Sequence, residues 1–211
     1  MVNSNNVIVV SHPLIEHSMT ILRDKRTKAD EFRRHADIVA KLLLIEAAKD
    51  LTTAKLKIDT PLAPLDGQTL KSRVIVVPIL RAGISMLSAA YELLPSIAVG
   101  FVGLVRDEKT AIADKYYEKI PKINPDDAVF VVDPMLATGG SMDEALNIVK
   151  AAGAKKIVVV TIVCAPEGLE RVQKNHSEVP IITAAVDEKL DANAYIVPGL
   201  GDFGDRYFAT E

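Results

Sequence analysis

Residues 128–150, AVFVVDPMLATGGSMDEALNIVK, carry the densest set of groups able to do chemistry. An apolar, β-branched run ends at Asp133, a short loop follows, and a helix is expected from Ser141. Gly139 and Gly140 lack a Cβ, so the backbone there can approach a ligand and take a positive φ. Thr138 and Ser141 add hydroxyl donors, and the unpaired N–H groups of a helix start point into the same space. That combination suits an anion, most naturally a phosphate. Asp133, a carboxylate at the strand end, suits ribose hydroxyls instead. The same residues would also serve a plain strand-to-helix turn, with glycine for the bend and Ser141 as N-cap. No Lys follows the glycines, so this is not a Walker A loop.

Two arginines follow other apolar runs. Val74–Leu80 leads into Arg81, and Val99–Val105 into Arg106. A guanidinium is always charged and grips phosphate oxygens through paired hydrogen bonds. If the strands are parallel, both arginines share the rim that bears Asp133, where they could hold a diphosphate. Arg106 also fits a solvated charge among Asp107, Glu108 and Lys109, whereas Arg81 interrupts sequence that is apolar on both sides.

The tail YIVPGLGDFGDRYFAT, residues 195–210, places Gly199, Gly201 and Gly204 in a G-x-G-x-x-G pattern. A dinucleotide fingerprint is excluded, because no βαβ unit has room to follow. Asp202-Phe203-Gly204 lacks the catalytic loop of a kinase. Dense glycine beside Asp202 and Phe203 suggests backbone shaped around a flat ligand. A base edge that alternates carbonyls and N–H groups could be matched by such backbone, while an edge with the wrong donor would leave buried groups unpaired. A bland glycine-rich tail is the alternative.

These segments need a scaffold. The first fifty residues read as helical, with amphipathic stretches from Leu14 and from Phe32 to Leu51. After them come short apolar runs at Val74–Leu80, Val99–Val105, Ala128–Asp133, Ile157–Val163 and Ile181–Val186, separated by the helical patterns Ala82–Leu94, Ser141–Ala152 and Glu167–Asn175. Runs that are apolar throughout suit strands buried on both faces. The alternation implies an α/β fold, a parallel-centred sheet flanked by helices, with the N-terminal helices and the C-terminal segment added to it. Ligands in such sheets sit at the carboxyl ends of the strands.

With 211 residues and no linker or repeat, residues 1–211 are expected to form one domain. Lys and Arg total 25 against 28 Asp and Glu, a net charge of −3, so no bulk basic field points to nucleic acid or an anionic membrane. No apolar run reaches the ~20 residues needed to span a bilayer. The single cysteine, Cys164, cannot form an internal disulfide, and a reducing cytoplasm fits that usage. It lies within an apolar run, where inert core is its natural place. The four histidines, His12, His17, His35 and His176, show no metal-ligand spacing. Five Tyr and five Phe make a lean aromatic inventory. Tyr195, Phe203, Tyr207 and Phe208 crowd the tail, which is therefore expected to be packed.

Asp133-Pro134-Met135-Leu136-Ala137-Thr138-Gly139-Gly140-Ser141 resembles the phosphoribosyl diphosphate (PRPP) loop of uracil phosphoribosyltransferases, in which proline follows the acidic residue. The Ile-Leu-Arg-Ala-Gly segment at Arg81, the Arg-x-Glu-x-Thr segment at Arg106 and the tail are similar to further motifs of that family, and the likeness runs through essentially the whole chain. The resemblance implies transfer of the phosphoribosyl group of PRPP to N1 of uracil, giving UMP and diphosphate. It implies that Asp133 through Ser141, Arg81, Arg106 and Asp202 contact PRPP, that Ile196, Gly201, Asp202 and Phe203 hold uracil largely through the backbone, and that Arg81, Arg106 and Asp202 take part in catalysis. It further implies Mg²⁺ carried mainly by PRPP and water, a homodimer or larger homo-oligomer, GTP as an effector, and a mobile covering loop at residues 107–121 that bears Tyr116 and Tyr117. Three positions depart from the family's pattern: Ala209 replaces a usual Gly, Ile45 a frequent Tyr, and Ala113 a common Pro. A phosphoribosyltransferase for another base, or a regulator of the same fold that senses PRPP and binds nucleic acid, are the competing readings.

Overall fold

The computed structural model describes residues 6–94, 96–106 and 113–210. A short strand, β1 (Val7–Val9), precedes helices α1 (Pro13–Arg23) and α2 (Ala29–Ala47). His12 caps α1 by accepting the Leu14 N–H on Nδ1 at 3.1 Å, and Pro13 opens the helix where no N–H is needed. Asp30 and Glu31 favour the start of α2, whose buried Phe32, Ala36, Val39, Ala40, Leu43, Leu44 and Ala47 recur on one face. A hairpin of β2 (Thr53–Asp59) and β3 (Pro64–Leu70) follows.

The sheet then begins with β4 (Val74–Leu80), a 3-10 turn at Ala82–Met86, α3 (Leu87–Leu93), β5 (Ala98–Val99), β6 (Phe101–Arg106) and β7 (Ala113–Lys119). It continues with β8 (Ala128–Val132), β9 (Met135–Leu136), α4 (Gly140–Ala151), β10 (Lys156–Cys164), α5 (Pro166–Asn175) and β11 (Ile181–Val186). The chain closes with β12 (Lys189–Leu190), β13 (Ile196–Val197) and α6 (Phe203–Phe208).

The strands order β1-β11-β10-β8-β4-β6-β7, with β5 also on β4 and β9 on β10. Every pairing is parallel except β6 with β7. Along the central strands the side chains alternate between two cores. Val74, Val76, Phe130 and Val132 pack with α1, α2 and α3 on one face; Ile75, Val77, Val129 and Val131 pack with α4 and α5 on the other. The result is the three-layer α/β architecture that the apolar runs imply.

Several local expectations are corrected. The first fifty residues are not wholly helical, since β1 pairs with β11 at the sheet edge. Val99–Val105 is divided at Gly100 into β5 and β6. The stretch 82–94 starts as a 3-10 turn, and within it Gly83 lies so close to the sheet that a Cβ would come 2.6 Å from the Val132 carbonyl. From Ala113 the expected covering loop is strand β7, and the Tyr116 ring lies across Gly103 of β6. Residues 107–112 of that loop lie outside the described residues. The N-terminal helices spend most of their apolar faces inside this chain. Leu56, Ile58, Leu62, Leu65 and Leu70, exposed on the β2–β3 hairpin, supply the larger apolar surface.

Candidate active site

Parallel pairing puts the ends of β4, β6 and β8 on one rim. Pro78 pairs with Val132 and Leu80 with Gly103, so Arg81 and Asp133 stand at the same edge, while Arg106 lies further out along β6. The loop after β8 is a continuation of the sheet rather than a free turn. Asp133 donates its N–H to the Val160 carbonyl at 3.2 Å, and Pro134 O accepts from Ile162 and Val163 at 3.0 and 3.1 Å. Ala165 then donates to Leu136 O at 2.9 Å. Leu136 turns into the core, and Pro134 is buried off the cavity walls.

At the helix start the structure departs from the plain-turn reading. Gly139, not Ser141, is the N-cap of α4, at φ 77, and no side chain caps the helix. A Cβ on Gly139 would stand 2.9 Å from Gly168 O, so the positive φ and the close approach both require glycine. The first N–H groups of α4 are left for a ligand, and Asp133, Met135 through Gly140, Ser141 and Met142 line a cavity of 90 Å³ there.

A second cavity of 230 Å³ adjoins it, walled by Ala82, Asp133, Met135, Ala137, Ala194, Tyr195, Ile196, Gly201, Asp202, Phe203 and Gly204. Asp133, Met135 and Ala137 belong to both walls, so the loop and the tail, some sixty residues apart in sequence, form one cleft. Larger cavities of about 510 and 520 Å³ border the hairpin and contain none of these residues.

Burial pushes the Asp133 carboxyl up to about 7, against the N–H of Met135, which favours its charged form. The side chain keeps partial access to the cleft, so a ligand can reach it. Asp202 caps α6, its Oδ1 accepting the Asp205 N–H at 2.9 Å. Arg81 is exposed, with its Nη2 3.7 Å from Asp205 Oδ1. The Phe203 ring is buried against Phe32 at 5.1 Å and Tyr207 at 5.7 Å, so this ring fastens the tail to α2, while Tyr195 is half exposed on the cavity wall. Cys164 is buried, and burial pushes its thiol up to about 12, which leaves it no role as a nucleophile.

Several residues that shape the cleft escaped the sequence reading. Arg23 of α1 grips Asp187 through two bonds of 2.6 and 2.8 Å and donates to Gly199 O at 2.8 Å. Gly199 returns its own N–H to Asp187 at 2.8 Å. Arg206 binds the Leu22 carbonyl, that of Leu200 at 2.7 Å and that of Asp24 at 2.7 Å, while lying over the Phe32 ring. No local pattern marks such contacts, whose partners are up to 184 residues apart. Ala209, by contrast, was marked as a departure. It holds φ 57 as the left-handed C-cap of α6, the conformation that glycine takes most easily.

A strand-end carboxylate and a glycine loop at a helix start, set beside a glycine-rich C-terminal segment on a largely parallel sheet, are the features of a phosphoribosyltransferase fold. In overall fold the chain resembles the adenine phosphoribosyl transferase of Trypanosoma brucei, with a TM-score of 0.58 at 14% identity over 90% of this chain and 87% of that one. Residues 9–210 match the family model described as uracil phosphoribosyltransferase, and the chain belongs to that family. A relative from Dictyoglomus thermophilum bearing that name is 47% identical over 206 residues, covering 97% of this chain and 100% of its own. A solved protein from Aquifex aeolicus superposes with a TM-score of 0.92 at 36% identity, over 97% of this chain and 99% of that one.

Proposed function

We propose that this protein converts uracil and PRPP to UMP and diphosphate. The observation that supports the reading is the shared wall of Asp133, Met135 and Ala137, which joins the cavity at the start of α4 to a second cavity large enough for a base. At 230 Å³ the second cavity falls below the ~300–1,000 Å³ usual for larger ligands and suits a single-ring base.

In this reading the N–H groups from Thr138 to Ser141 receive the 5-phosphate, and Asp133 accepts from the ribose hydroxyls. Backbone groups of Ile196, Gly201 and Phe203 read the edge of uracil. Arg81 and Arg106 receive the diphosphate, whose charge grows as the bond to C1 breaks; a charge already in place lowers that barrier without reorganisation. Holding N1 and C1 in line supplies much of the remaining rate. Asp202 has one oxygen engaged by Asp205 and the other available to take the proton from N1.

Among the described residues no three His, Cys, Asp or Glu side chains gather as metal ligands. Isolated carboxylates fit a Mg²⁺ that arrives on the diphosphate with its own waters, and it would supply further charge neutralisation. The exposed leucines of the hairpin support a homo-oligomer. No helix among the described residues is long and apolar enough to cross a membrane, and the lone buried Cys164 suits a cytoplasmic setting. GTP as effector rests on the family resemblance.

The decisive assay is UMP formation from uracil and PRPP with Mg²⁺, with and without GTP and with competing cytosine, hypoxanthine and orotate. Preference for another base would refute the reading. Arg81→Ala is expected to lose most PRPP binding, and an unaltered dissociation constant would remove Arg81 from the site. Asp202→Asn is expected to slow turnover and shift its pH profile; full turnover with the same profile would exclude the proton transfer.

A further inference from the structure

Asp143 lies in the first turn of α4, where its N–H bonds to Gly139 O at 2.9 Å. That is an awkward place for a carboxylate if the same helix start must receive a phosphate. The helix dipole favours either negative charge, but the two repel each other. Three side chains from the end of α5 and the turn after it answer this charge. Arg171 donates to Asp143 Oδ2 through Nε and Nη2, both at 3.2 Å. Asn175 Nδ2 and His176 Nε2 meet Oδ1, each at 2.9 Å. Burial raises the Asp143 carboxyl, but these hydrogen bonds outweigh it and hold the group below the ordinary range.

Arg171 differs from the other two because it also runs along the loop. Its Cβ is 3.3 Å from the point where a Gly139 Cβ would stand, and its Nη1 is 3.4 Å from the corresponding point on Gly140. The side-on pairing with Asp143 uses Nε and Nη2, and Nη1 has no hydrogen-bond partner among the described residues. The guanidinium is half exposed, so it keeps a hydrated, adaptable face.

We propose that Arg171 is a further determinant of PRPP affinity, a positioning residue that cancels the charge of Asp143 and places a cation beside Gly140. This rests on the assignment of the loop as the phosphate cradle. A purely structural ion pair would affect both substrates and the melting temperature alike. Charge compensation acts on the phosphorylated substrate alone and becomes unnecessary once Asp143 is neutral.

The test compares wild type, Arg171→Gln, Arg171→Lys, Asp143→Asn and the Gln/Asn double variant. It reads the KM for PRPP and for uracil, calorimetric binding of ribose 5-phosphate, and thermal melting. Arg171→Gln is expected to weaken PRPP and ribose 5-phosphate about 3- to 10-fold at low salt, the size of a charge effect at a helix start, with the uracil KM unmoved. That loss should shrink in high salt, Arg171→Lys should retain most of the affinity, and the double variant should recover it. Unchanged affinity in Arg171→Gln, a double variant as weak as the single one, or equal losses for both substrates would overturn the proposal. A wild-type protein that binds ribose 5-phosphate but makes no UMP would refute the activity and not this role. Normal turnover with an unaffected Arg171→Gln would refute this role alone.

Discussion

The glycine loop after β8 and the C-terminal segment share three wall residues, yet the chain holds them by different means. The loop is one run of sequence from Asp133 to Ser141, tied to β10 by backbone bonds at Asp133, Pro134 and Leu136. The C-terminal segment is tied by charged side chains to the opposite end of the chain, Arg23 to Asp187 and Gly199, and Arg206 to the carbonyls of Leu22 and Asp24. A backbone-tied element is insensitive to most side-chain changes and fails mainly through strain. A segment hung on one ion pair and a few guanidinium bonds to backbone carbonyls fails when one of those side chains is removed.

The sharpest way to break this contrast is Asp187→Ala. Asp187 is nearly buried, and stripping one member of such a pair costs about 3–5 kcal/mol, because the other charge is left without its partner. Melting should fall steeply, and the KM for uracil should rise more than that for PRPP. Equal losses on both substrates would erase the distinction between the halves.

Asp133 probes the point where they meet. Its folded carboxyl titrates at about 7 against an ordinary 3.8, so the folded state holds the proton more tightly than the unfolded chain. The destabilisation is absent below about pH 4, grows as pH rises, and is complete above about pH 7. Asp133→Asn should therefore gain little stability near pH 4 and on the order of 2–4 kcal/mol near pH 8, while impairing PRPP binding. Melts at the two pH values check it, and a gain independent of pH would contradict the burial that drives the shift.

Gly139→Ala is next in size. A residue other than glycine at φ 77, with its Cβ 2.9 Å from Gly168 O, should cost about 1–3 kcal/mol and raise the KM for PRPP, leaving that for uracil nearly unchanged. The smallest effect is a gain. Ala209→Gly should relieve the left-handed cap of α6 and stabilise by about 0.5–1 kcal/mol, seen as a modest rise in melting temperature.

The same contrast explains what could be read in advance. β4 and β11 match the apolar runs at Val74–Leu80 and Ile181–Val186, and α4 begins within one residue of the expected start, because burial on both faces writes itself into contiguous β-branched sequence. The β2–β3 hairpin was invisible. Its residues are largely exposed, and Lys55, Lys57 and Asp59 stand among apolar side chains that are themselves about half exposed and join neither core. The Arg23–Asp187 clamp was equally illegible, since an ion pair spanning 164 residues leaves no periodic trace. The cradle at Gly139 was legible in kind, while its cap was misplaced by two residues, because a glycine that ends a loop and one that starts a helix look alike.

The anchoring of Arg206 on Leu22 and Asp24 also bears on how the protein is made. Synthesis runs from the N-terminus, so α1 emerges well before the side chain that ties it to the second cavity. The wall of Gly201, Asp202, Phe203 and Gly204 gains that tie only when Arg206 reaches back across 184 residues to Leu22. The loop from Asp133 to Leu136 is set by a neighbouring strand, β10, and the tail by a contact spanning most of the chain.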